Sequence, residues 1–299
     1  MAKLGSIFLN LLNFSPVKIR SLLDFFKDLD DICKINTSEL RGVKLLSDED
    51  IRKISELQKG DTVDKELRLI KQEGVDTIDI FDYEYPLLLK EIDNPPLLLY
   101  ILGDRKALNK FLFAIVGSRK PTAYGVSVAK DFSCKLSSLG AVIVSGLARG
   151  IDTSAHQAAV VNGESVAVLG SGLLNIYPRE NKTLFRKIIQ NGAVVSEFPL
   201  LTSPLRENFP RRNRIVSGLS KGVLVVEAAL KSGALITARL ACEQNREVFA
   251  IPGKIDSLLS KGTNVLIKEG AKLVDSLEDI LEELNIGSDK VQSMLSLNV

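Results

Sequence analysis

The stretch FLFAIVGSRKPTAYGVSVAKDFSCKLSSLGAVIVSG (residues 111–146) decides the fold. Phe111 to Val116 is an unbroken apolar run of strand length that stops at Gly117. Val126 to Leu139 repeats its apolar residues at helical spacing, and Ala141 to Val144 is apolar again. Apolar runs without alternation fit strands covered on both faces, and a helix between two of them implies a parallel pair. The rhythm continues outward. Ile151 to Val161 reads as helix, Val166 to Leu169 as strand and Lys182 to Gln190 as helix. Ala193 to Val195 and Val223 to Val226 read as strands, Leu235 to Gln244 as helix, and Val248 to Ile251 as a strand stopped by Pro252-Gly253. Upstream, Val75 to Ile80 and Leu97 to Leu102 add two more strands. This predicts an α/β chain with a doubly wound, mostly parallel sheet over residues 71–284. Residues 1–70 read as a small helical domain. Its start signals are Ser15-Pro16 and Ser47-Asp48-Glu49-Asp50, the latter a polar cap followed by an acidic first turn. Residues 285–299 are too few for a domain and read as a C-terminal tail.

The 299 residues are 45% hydrophobic and 25% charged, ordinary values for a globular protein. The apolar run Ile7 to Phe14 is too short to span a membrane and is followed by Lys18 and Arg20. No small-residue cleavage site follows it, so a secretory signal is not expected. Cys33, Cys134 and Cys242 lie far apart without a CxxC, which makes the cytoplasm the expected compartment. The single histidine, His156, excludes HExxH metal hydrolysis. The net charge of +2 is unevenly spread. Phe111 to Lys221 holds 14 Lys/Arg against 6 Asp/Glu, a local net of +8, while each flanking segment is net −3. A basic middle third suits a polyanion as well as it suits a solvated surface.

In an open parallel sheet, ligands sit beyond the carboxyl ends of the strands. Four strand-to-helix passages have suitable residues. Gly117-Ser118-Arg119 combines a close-approach glycine, a hydroxyl donor and a planar guanidinium fork. Ser145-Gly146 leads to Arg149, and Gly170-Ser171-Gly172 leads to Tyr177-Pro178. Asn208-Phe-Pro-Arg211-Arg212-Asn213-Arg214 is a helix start with three arginines. Lys182, Phe185 and Arg186 share a helix face, an arrangement that can stack a base between cations or simply bury a phenylalanine. Gly170-x-Gly172 has Asn175 where a dinucleotide fingerprint needs its third glycine. His156, amid alanines, reads as a packed residue. Asp152 and Glu227 have no evident catalytic partner, and neither a phosphate-loop lysine motif nor a metal cluster is visible. The residues thus favour a binding protein over an enzyme and call for no metal and no cofactor.

These residues form an ordered series. Ile115-Val-Gly-Ser-Arg119, Ser145 through His156, Ala167 through Gly172, Phe209-Pro-Arg-Arg-Asn-Arg-Ile215, Val226-Glu227, Ser232 through Thr237 and Gly262-Thr-Asn264 together resemble the DNA-processing protein A family. The resemblance covers roughly residues 71–275. It implies an extended Rossmann-like fold preceded by a sterile-alpha-motif-like helical domain. It also implies binding of single-stranded DNA, loading of the RecA recombinase in natural transformation and DNA recombination, and a homodimer. The DNA-binding residues it implies, together with the loops above, are Gly117, Ser118, Arg119, Ser145, Gly146, Arg149, Lys182, Phe185, Arg211, Arg212, Asn213 and Arg214. The winged helix that ends many members is not expected in this chain. The competing reading is a Rossmann-type nucleotide phosphoribohydrolase, whose Pro-Gly-Gly-x-Gly-Thr turn is replaced here by Glu227 through Thr237. A third reading is a protein-bridging adaptor.

Overall fold

The computed structural model describes residues 2–26 and 28–286, and nine strands form its sheet. They are β1 (Asp76–Asp79), β2 (Leu98–Gly103), β3 (Leu112–Val116), β4 (Val142–Ser145), β5 (Ser165–Val168), β6 (Gly192–Ser196), β7 (Gly222–Val225), β8 (Glu247–Ala250) and β9 (Lys272–Leu273). Their order is β1-β2-β6-β5-β4-β3-β7-β8-β9. Strands β3 to β9 pair in parallel. At one edge β2 runs antiparallel to β6, and β1 antiparallel to β2. The chain winds outward from β3 through β4 and β5 to β6, then returns to β7 on the far side of β3. The direction of winding therefore reverses between β3 and β7. This is the extended, doubly wound, Rossmann-like α/β sheet that the sequence predicts.

The unbroken apolar runs have a simple cause. Leu112, Ala114 and Val116 of β3 pack on one face with Ile215 and Ala238 from the helices Asn208–Leu219 and Gly233–Glu243. Phe113 and Ile115 pack on the other face with Phe132 and Leu136 of Ala123–Ser138 and Ala155 of Ile151–Asn162. Both faces are buried, so neither parity along the strand is polar. Each such side chain contributes about 1.5–3 kcal/mol by burial. Phe113 also meets Phe249 of β8 with ring centroids 5.6 Å apart.

Four helices near the N-terminus, Leu4–Leu11, Pro16–Phe25, Thr37–Leu40 and Asp48–Lys59, enclose a small core of Phe8, Leu9, Leu22, Ile32, Leu40 and Ile54. The Ser47 start signal is realised as a capping box with Asp50. A fifth helix, Thr62–Gln72, spans the expected domain boundary at 70/71. Its Ile70 joins Ile7 against Leu98 and Tyr100 of β2. Glu66 accepts the Leu200 amide at 2.8 Å, and Asn10 donates to the Glu197 carbonyl at 2.9 Å. The helical segment thus docks on the antiparallel edge of the sheet. Of the expected tail, residues 287–299 lie outside the described residues. The helix Lys261–Lys268 leads into the two-residue β9, which the helix Leu277–Glu283 follows. No described helix is long and apolar enough to cross a membrane.

Candidate nucleic-acid interface

The loops after β3, β4 and β5 and the start of the helix Asn208–Leu219 meet at the carboxyl edge of the sheet. At the switch point, Gly117-Ser118-Arg119 follows β3. Ser118 is buried and its hydroxyl accepts the Lys120 amide at 3.1 Å, closing the turn. Arg119 is exposed, and its guanidinium lies over the Phe209 ring, 5.5 Å from the centroid. Across the switch point, the buried Glu227 carboxylate accepts the amide and hydroxyl of Thr122. Thr122 in turn caps the helix Ala123–Ser138 by accepting the Gly125 amide at 3.1 Å.

The second loop is held from inside. Ser145 donates to the Ile115 carbonyl at 2.7 Å, so its hydroxyl is committed to the neighbouring strand. Asp152 accepts the amides of Gly146 and Ala148 at 3.1 and 3.3 Å. Burial raises this carboxyl above the usual range, opposed by the Arg212 charge. Leu147 adopts a positive φ of 54°, a conformation that costs a non-glycine residue about 1–3 kcal/mol and needs outside support. His156 and Asn181 give that support, bonding the Leu147 amide at 3.3 Å and carbonyl at 2.9 Å. Ser165 donates to the Ile143 carbonyl at 2.8 Å and so must accept from His156 Nδ1, 2.7 Å away. Nε2 is then the acceptor for Leu147. Both ring nitrogens are used by a neutral imidazole, and burial brings the His156 pKa down to about 3. The packed reading of His156 matches this geometry.

Gly150 needs its glycine on two counts: φ is +78°, and a Cβ would stand 2.3 Å from the Ser118 carbonyl oxygen. Gly146 needs its glycine because the Arg212 guanidinium lies against it, with Nη2 2.4 Å from where a Cβ would sit.

Several residues expected to face DNA are placed otherwise. Arg212 is only 4% exposed and donates to the carbonyls of Gly146 (2.5 Å) and Val168, tying the ends of β4 and β5 together. Its burial lowers its pKa to about 10. A guanidinium so enclosed positions the loops and offers no fork to a phosphate. Arg214 pairs with the buried Glu197 at 2.6 Å. Arg211 is exposed, stacks over Phe198 at 5.1 Å and donates to Asn13 of the helical segment at 2.9 Å. Asn213 accepts from Arg212 Nε at 3.2 Å. The expected arginine turn is the first two turns of a helix, so its side chains diverge. Arg149 is exposed and forms a two-pronged pair with Glu180 at 2.6 and 2.7 Å.

Lys182 begins the helix Lys182–Gln190, as the sequence reading places it, and is exposed with Arg186. Phe185 is not exposed with them. Only 6% of it is accessible, and it packs with Leu184 and Ile188 toward Tyr100 and Leu147. The expectation that it stands between two cations is corrected: the helix turns it inward to the sheet. Arg149, Arg211 and Arg214 each have a carboxylate neighbour, whereas Arg119 and Lys182 have none among the described residues. Tyr177 and Phe209, to which the sequence assigns no role, both stand at this edge with rings 5.6 Å apart. No spacing rule pairs residues 177 and 209, which come from different crossovers. No group of three or more His, Cys, Asp or Glu among the described residues is arranged to hold a metal.

The family model described as DNA recombination-mediator protein A matches residues 76–285. Protein Smf of Escherichia coli is 54% identical over 205 residues, an alignment covering 68% of this chain and 55% of that protein. This chain thus spans little more than half the length of that relative. The structure of DNA processing protein A from Streptococcus pneumoniae superposes with a TM-score of 0.83 at 35% identity, covering 94% of this chain and 98% of the other. DNA processing protein A from Helicobacter pylori, described for its single-stranded DNA binding mode, gives a TM-score of 0.65 at 32% identity over 70% and 95% of the two chains.

Proposed function

The chain belongs to the DNA recombination-mediator protein A family, and from that premise we propose that it binds single-stranded DNA along the carboxyl edge of its sheet and passes the strand to a RecA recombinase during DNA uptake. One observation carries the reading: Arg119, a cation with no acidic neighbour among the described residues, stands at the switch point against an aromatic pair. Phosphates are held by such cations, and base faces by such rings. The helical Lys182 adds a second unpaired cation. In this reading the protein works in the cytoplasm as a homodimer, and as a binder, not an enzyme. Support for the last point comes from Glu227. In a hydrolase this carboxylate would face the substrate, whereas here both its oxygens bond Thr122.

Titration of a labelled oligothymidylate at two salt concentrations tests the binding. The expected result is a saturable affinity that falls linearly on a log–log plot as salt rises. A separate assay tests loading, by measuring RecA-dependent ATP hydrolysis on strands coated with a single-strand-binding protein, with and without this chain. No acceleration there would leave a strand binder without a mediator role.

A further inference from the structure

Burial of Phe185 leaves the proposed strand site without its expected aromatic, and the same edge holds another. Phe209 lies on Gly170, where a Cβ would be 2.8 Å from the ring. One side of this half-buried ring carries the Arg119 guanidinium at 5.5 Å. The Tyr177 ring lies 5.6 Å away, inclined at 54°. Three separate segments therefore meet in one cluster: the loop after β3, the loop after β5 and the start of the helix Asn208–Leu219.

Tyr177 differs from the two tyrosines whose roles are structural. Tyr85 and Tyr100 are buried, and their hydroxyls donate to the Pro96 carbonyl (2.7 Å) and to Asn10 Oδ1 (3.4 Å). Tyr177 is 42% exposed, and its hydroxyl has no hydrogen-bond partner among the described residues. Its ring is held by Phe209 while much of its surface faces water. A rigid, half-exposed aromatic beside an unpaired guanidinium suits a ligand with a flat π-face and a nearby negative charge.

Resting on the strand-binding reading above, we propose that Tyr177, backed by Phe209, is the face on which an unpaired nucleobase stacks while Arg119 holds an adjacent phosphate. Stacking of this kind accepts any base, because each offers a π-face. The Tyr177 hydroxyl plays no part in it.

The chain contains no tryptophan, so Tyr177→Trp introduces a single indole at the proposed contact. On titration with oligothymidylate its emission is expected to be quenched, saturating at the same stoichiometry as binding measured by anisotropy. Tyr177→Ala should weaken binding roughly tenfold or more, and Tyr177→Phe should keep the wild-type affinity. All three variants should remain folded at the assay temperature, as their melting curves will check, since a ring 42% exposed has chiefly its contact with Phe209 to lose. Wild-type affinity in Tyr177→Ala, or an indole emission unchanged at saturation, overturns the assignment while leaving strand binding intact. A wild-type protein that binds no oligothymidylate overturns both this assignment and the function it rests on.

Discussion

Glu227 accepts both the backbone amide of Thr122, at 2.9 Å, and its hydroxyl, at 2.6 Å, across the point where the sheet reverses its winding. In doubly wound sheets the helix N-terminus at this point is where a bound phosphate usually sits. Here the protein places its own carboxylate there, favourably oriented to the helix dipole. Glu227→Gln should therefore lower stability by about 1 kcal/mol, seen as a shifted denaturant midpoint. Wild-type protein incubated with a nucleoside monophosphate should release no free base. Base release that disappears in Glu227→Gln would identify a hydrolase and reverse the functional assignment.

Of the cations singled out at this edge, Arg119 and Lys182 are exposed and have no carboxylate neighbour among the described residues. Arg119→Ala and Lys182→Ala should each reduce the slope of log affinity against log salt by about one unit. Arg149→Ala should do less, because an exposed pair with Glu180 already occupies its guanidinium. A folded Arg119→Ala protein with an unchanged slope would remove Arg119 from the interface.

Phe185→Ala should act on the fold and not on the strand. Removing a buried phenylalanine costs about 3–5 kcal/mol. The melting temperature should drop sharply while affinity per folded molecule stays the same. A variant that keeps wild-type stability but loses affinity would restore Phe185 to the stacking role.

Much of this architecture is legible without coordinates, because strands buried on both faces leave unbroken apolar runs such as Leu112–Val116 and because helix starts carry caps such as Ser47. The candidate site is legible in place but not in detail. Sequence position puts Arg119, Arg212 and Arg214 on loops and helix starts near one edge. It does not show that Arg212 turns under Gly146 to reach two carbonyls, or that Arg214 is held by Glu197. Those outcomes depend on long-range packing, and a positive charge reads alike in sequence whether a carboxylate lies beside it or not. Phe185 shows the same limit: cations at helical spacing on either side of it point toward solvent, but the burial of Leu184 and Ile188 shows that its side meets the sheet.

His156 makes stability depend on pH. Its folded pKa, about 3, lies below the unfolded value of about 6.5, so the unfolded chain binds the extra proton between these limits. Stability is therefore complete above pH 6.5 and falls as pH drops toward 3. From pH 7 to pH 5, a range above most carboxylate titrations, the loss from this group alone should be about 2 kcal/mol. Denaturant unfolding at several pH values should show the loss in the wild type and its absence in His156→Gln. Equal pH dependence of the two proteins would mean that His156 is not held neutral.

Preference for single strands over duplex follows from which groups at this edge are exposed. Phosphates of either form can reach Arg119 and Lys182, so the salt-dependent part of binding is common to both. The aromatic part is not. A base can lie on Tyr177 only when it is unstacked, and a paired base reaches that state at a cost of a few kcal/mol. The helix Asn208–Leu219, which carries the arginines, is packed into the core through Ile215, Val216 and Leu219 and so is not free to enter a major groove. Duplex should therefore compete weakly, and single strands of different sequence should compete alike. The measurement is displacement of a labelled oligonucleotide by unlabelled duplex and by unlabelled single strand at near-physiological salt, in wild type and in Tyr177→Ala. A single strand should win by tenfold or more in the wild type, and the gap should narrow in the variant. Equal potency in the wild type would mean that charge alone acts at this surface. A gap that persists in Tyr177→Ala would place the discrimination on another side chain.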